Sequence, residues 1–109
     1  MITKEDFQKE AARRIERAKD EIGKFQSEIY RSPIGALRWP SDALRAAATL
    51  SVWQDMFNID PATALTMARR YAMEKIEPSS SPSHDEFEEY KRRQWADLHD
   101  FIEAGSRRP

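Results

Sequence analysis

Residues 41–57, SDALRAAATLSVWQDMF, set the strongest limit on what this chain folds into. The interior of that stretch is alanine, leucine, valine, tryptophan, methionine and phenylalanine, with Arg45, Gln54 and Asp55 as its only strongly polar members. Alanine and leucine favour helix, and a helix apolar on nearly all sides is a buried one. The other segments must therefore cover it. With 34% of residues charged, the chain holds no second stretch as apolar. The expected class is all-α: a four-helix bundle-like single domain over residues 1–109, with a long N-terminal helix, a central helical hairpin and a C-terminal helix after a Ser/Pro linker.

The first helix is expected over about residues 4–30. Thr3 is its N-cap, Asp6 stands at N3, and Ile2 and Phe7 occupy the positions of a hydrophobic staple. Ala11, Ile15, Ala18, Ile22, Phe25 and Ile29 follow in alternating steps of four and three, a heptad seam. Glu5 with Lys9, Glu10 with Arg14 and Asp20 with Lys24 are spaced for ion pairs along the exposed faces. Gly23 weakens the helix interior and predicts either a bend or the close approach of a neighbour.

Pro33, Gly35 and Pro40 break the chain before the second helix, expected at 41–57. Asp60 then caps a third helix at 61–76 with Pro61 in its first position, and Pro78 ends it. Its inner face is Ala64, Leu65, Ala68, Tyr71, Ala72 and Ile76, flanked by Met67 and Met73. Residues 78–83, PSSSPS, read as a linker. Ser83 with Glu86 forms a capping box for a fourth helix at 84–104, and Gly105 is placed to stop it.

The lengths imply an overhang. At 1.5 Å per residue the first helix would reach about 40 Å and the second and third about 25 Å each. A hairpin of the two shorter helices leaves part of the heptad seam uncovered. That remainder needs the fourth helix, a bend, or another chain, and self-association is one outcome.

Lys and Arg together number 18 and Asp and Glu 19, so no global charge draws the chain to nucleic acid or to an anionic membrane. There is no cysteine, which removes disulfides, thiolate metal sites and cysteine nucleophiles. The N-terminal residues MITKEDFQKE carry no apolar signal run, and the longest uncharged run, 46–54, is far below the ~20 residues of a membrane span. The expected location is the cytoplasm, with no membrane partner. His84 and His99 lie at no zinc-type spacing, and neighbouring His99 and Asp100 point about 100° apart on a helix. No phosphate loop or nucleophile elbow is present. No enzyme activity, metal or cofactor is expected.

The leading functional expectation is protein–protein interaction, as an adaptor, inhibitor or accessory subunit. Three Trp, five Phe, three Tyr and four Met exceed what one small core needs. Ile15, Ile22, Phe25, Arg38, Trp39 and Trp95 are the partner-binding candidates, because seam residues overhang and Trp and Arg dominate interface hot spots. The alternative is a DNA-binding regulator using residues 50–72 as a helix-turn-helix. In that reading Thr63 and Thr66 face base edges, and Arg69 and Arg70 meet phosphate. Gln54 stands where that outline wants a small residue, and the first two turns of the recognition helix lack basic or amide groups.

Overall fold

The computed structural model of the chain describes residues 2–31, 37–79 and 82–106. It is all-α and bundle-like, with four helices: α1 (Lys4–Lys24), α2 (Ser41–Met56), α3 (Pro61–Ala72) and α4 (Pro82–Ser106). A short 3-10 turn, Gln26–Glu28, follows α1. Strands β1 (Tyr30–Arg31) and β2 (Leu37–Arg38) pair antiparallel, Tyr30 opposite Arg38, a small hairpin that the sequence pattern did not announce. The expected breaks at Pro33 and Gly35 and the centre of the serine linker lie outside the described residues.

The closest helix neighbours are α1 with α2, α2 with α4, and α4 with α3. Residue contacts set the directions. Phe7 at the start of α1 stacks on Trp53 near the end of α2, so these helices run antiparallel. Trp53 pairs with Gln94 and Arg45 covers Tyr90, which makes α2 and α4 parallel. Tyr71 lies against Trp95 while Arg69 reaches Glu103, so α3 returns antiparallel to α4. The elbow joining α2 to α3 closes one continuous core, but the main partner of α3 is α4.

Two expected ends move, each for a local reason. α1 stops at Lys24, just after Gly23, where the Phe25 N–H tightens onto the carbonyls of Gly23 and Ile22. A Cβ on Gly23 would meet nothing within 4 Å, so this glycine marks the helix end and no close approach. α3 stops at Ala72, and residues 73–79 run on without helix, with Ile76 half-buried. Pro78 also biases Glu77 away from helix. α4 instead is longer than expected. It opens at Pro82, so Ser83 lies inside the helix, and the Glu86 carboxylate accepts from the hydroxyls of Ser41 and Tyr90 in place of a capping box. These bonds hold Glu86 below its ordinary pKa.

At 25 residues against 21, α4 and not α1 is the longest helix, about 38 Å against 32 Å. It lies beside both shorter helices. Gly105 is helical and does not stop α4. The Ile2 side chain occupies the space a Cβ there would need, so the segment before α1 meets the end of α4 at a point where any larger residue must displace Ile2.

Trp53 is the centre of the core. It is fully buried, 6.0 Å from Phe7 and 6.2 Å edge-on from Phe101, with the Arg14 guanidinium 4.4 Å from its ring. Its indole N–H donates to Gln94 Oε1 at 3.2 Å, so this buried donor is satisfied. Leu98 and Ile102 of α4 and Ala64 and Ala68 of α3 complete this cluster. Leu50, by contrast, is only half-buried. A second, smaller cluster of Leu44, Ala48 and Tyr90, with Trp39 and Phe87 against it, joins the first turns of α2 and α4.

Candidate functional site

Between α3 and α4, where residues 73–79 cross from one to the other, the surface opens into a groove of about 580 Å³. Its floor is Met56 and Val52 from α2, Met67 and Tyr71 from α3, Ile76 from the crossing segment and Trp95 from α4. Tyr71 and Trp95 pack with ring centroids 5.1 Å apart. Met67, Tyr71 and Ile76 are half-buried, and Met73 at the end of α3 is 85% exposed. Methionine side chains are flexible and polarisable, and they suit surfaces that adapt to an incoming side chain.

The rim is charged and unevenly partnered. Glu88 pairs with Lys91 at 3.8 Å and Arg92 with Glu89 at 2.9 Å. Asp55, Glu74 and Glu77 also line the groove, and no ion pair among the described residues engages them. Lys75 stands in the lining between Glu74 and Glu77, likewise outside any ion pair among the described residues, so acids and cations are mixed around the groove.

The partner-binding candidates do not converge on one surface. Ile15 and Trp95 are 8% exposed and belong to the core. Ile15 is out of reach of a partner because α2 covers the first half of the heptad seam. Trp95 contributes only the floor of the groove. Ile22 and Phe25 are half-buried near the end of α1. Arg38 is exposed and Trp39 half-buried, and both line a second hollow of about 520 Å³ with Tyr30, which is 57% exposed. Trp39 also closes the small core cluster.

The residues of the DNA reading are largely engaged within the chain. Thr63 Oγ1 donates to Asp60 Oδ1 at 2.8 Å and its N–H to Asp60 Oδ2 at 3.0 Å, the cap of α3. These bonds hold the Asp60 carboxyl below its ordinary pKa. Thr66 Oγ1 donates to the Ala62 carbonyl at 3.2 Å. Arg69 bonds Glu103 and lies 3.4 Å from His99 Nε2, tying α3 to α4. Of the two arginines, Arg70 has no ion pair among the described residues and lies exposed 5.9 Å from the Tyr71 ring.

The structure also corrects the reading of His99 and Asp100. Side-chain rotation brings Asp100 Oδ1 within 3.2 Å of His99 Nδ1 despite their 100° separation on the helix. With Arg69 and Glu103 they form a cross-helix network.

Sequence reasoning missed the groove because it placed Ile76 on a further helical turn and Met67 beside the core stripe. The signal available was Met67 four residues before Tyr71 on one helix, with Met56 at the end of the preceding one. No helix among the described residues is long and apolar enough to cross a membrane. No family model, curated protein or solved structure matches the chain.

Proposed function

We propose that the chain is a non-enzymatic cytoplasmic protein that acts by binding another protein, as an adaptor, inhibitor or accessory subunit, through the groove between α3 and α4. One observation carries this reading: a hollow floored by Met56, Met67, Tyr71, Ile76 and Trp95 lies open within a rim of mixed charge that includes Asp55, Glu74, Lys75 and Glu77. Helix-in-groove recognition uses such hollows, with apolar anchors of the partner seated in them and charges at the rim setting orientation. A second copy of the chain is one partner of this kind.

The test is comparative capture from the native cell with the intact chain and with a Met67→Gln/Ile76→Gln variant. The reading expects a protein, or a second copy, that the intact chain retains and the variant loses. Identical captured sets from both would place the binding surface elsewhere.

A further inference from the structure

The opposite face of α4 carries a different chemistry. Glu88, Lys91 and Trp95 face the groove, whereas Tyr90, Arg93 and Asp97 project from the other side of the helix. There, two hollows of about 300 and 370 Å³ adjoin, sharing Arg45 and Gln94 in their walls. Five cations from three helices line them: Arg13, Arg14 and Arg17 from α1, Arg45 from α2 and Arg93 from α4. Two acids, Glu21 and Asp97, share the lining. Glu10, Asp42 and Glu89 stand beside this track as ion-pair partners, so the feature is a concentration of arginine and not a net positive charge.

All five cations are arginine, although the chain also has six lysines. Arginine presents a planar fork of donors that fits an oxyanion through two bonds, which lysine does not. Carboxylates hold Arg13 and Arg14 through hydrogen bonds to Glu10, and Arg17, Arg45 and Arg93 only through longer contacts. Arg13 and Arg14 share the single Glu10, Arg17 lies 3.7 Å from Glu21, Arg45 3.5 Å from Asp42, and Arg93 3.6 Å from a Glu89 already paired with Arg92. Arg17, Arg45 and Arg93 are more than half exposed, and pairs of that kind add little stability and exchange readily. Arg45 and Arg93 also sit 5.3 and 5.7 Å from the Tyr90 ring, so flat guanidinium groups border the track. Thr49 and Gln94 lie between them, Thr49 donating to the Arg45 carbonyl and Gln94 joining Trp53 to Asp97.

We infer that the Arg17–Arg45–Arg93 track binds the phosphate backbone of a single-stranded nucleic acid. Phosphates displace the weak carboxylate pairs, and bases stack on the guanidinium planes bordering Tyr90. The track lies in a hollow between packed helices, whereas reading a duplex major groove needs a projecting helix or ribbon. A hollow likewise suits a flexible strand better than the flat surface of a bilayer. This site is separate from the helix-turn-helix outline and does not depend on the α3–α4 groove.

Fluorescence anisotropy of the full chain with a labelled mixed-sequence single-stranded DNA tests it. Binding is expected at low salt, with log K falling against log salt at a slope of about -2 for three phosphate contacts. Arg17→Gln/Arg45→Gln, both exposed positions, should weaken binding about tenfold or more and flatten the slope by roughly 1.4 with the circular dichroism unchanged. Lys91→Gln on the groove face should leave binding as it was. No binding at low salt, an undiminished affinity in the double variant, or equal binding to duplex DNA or anionic vesicles would overturn the assignment.

Discussion

Trp53 and Trp95 read alike in the sequence, each an aromatic on the inward stripe of a helix, yet the structure gives them opposite surroundings. Trp53 is enclosed by α1, α2 and α4, its ring covered by Phe7, Phe101 and Arg14 and its N–H satisfied by Gln94. Trp95 meets Tyr71 on one side and forms the floor of an open groove on the other. Enclosure on all sides is what stability asks of a large aromatic. A well-packed aromatic left beside an open apolar hollow is what a binding surface asks, because its position is already fixed before a partner arrives.

The largest effect that tests this contrast is Trp53→Ala. Truncating a fully buried aromatic should cost about 3–5 kcal/mol and leave Gln94 without its partner. Urea denaturation measures it, and a loss below about 1 kcal/mol would mean that Trp53 is not the centre of the core. Next in size is Gly105→Ala. Its methyl would displace Ile2, at a cost of about 1–3 kcal/mol even though alanine is the better helix former. A stabilised variant would show that the segment before α1 does not meet the end of α4.

The groove side should behave in the reverse manner. Met67→Gln/Ile76→Gln should change stability by no more than about 1 kcal/mol while removing the captured partner. A large loss of stability would make the groove a part of the core. The smallest effect concerns acid. Partial burial pushes the Glu10 carboxyl up, and hydrogen bonds from Arg13 and Arg14 outweigh it, so its pKa lies below the ordinary value. Glu86 is lowered by Ser41 and Tyr90. A carboxylate lowered by folding contributes stability above its ordinary pKa and loses it as pH falls through its lowered one. The urea midpoint should therefore decline in acid, and Glu10→Gln/Glu86→Gln should flatten that decline. An unchanged slope would remove both carboxylates from the account.

What was legible in the sequence was local. Thr3 accepts the Asp6 N–H at 3.0 Å, and Asp60 caps α3 with Pro61 in its first position, because capping depends on residues three apart. The apolar stretch predicted α2 to within a residue, since its composition leaves it no other environment. The illegible parts depend on contacts distant along the chain. The Ser83–Glu86 box yielded to Ser41, forty-five positions from Glu86 by their numbers, and Ile76 lies beyond the end of α3 in the groove lining. Of the expected Asp20–Lys24, Glu5–Lys9 and Glu10–Arg14 pairs the last two form, at 3.9 and 3.1 Å. The arginine track and the groove both escaped notice because each draws on three helices whose relative placement no periodicity encodes.

Hydrogen exchange of the chain, alone and with the partner it captures, tests the central claim most directly. Binding at the groove should slow exchange in residues 67–77 and in 84–95, and should leave α1 as it was. Protection confined to residues 10–21 or to the 30–38 hairpin, with 67–77 unaltered, would contradict the account.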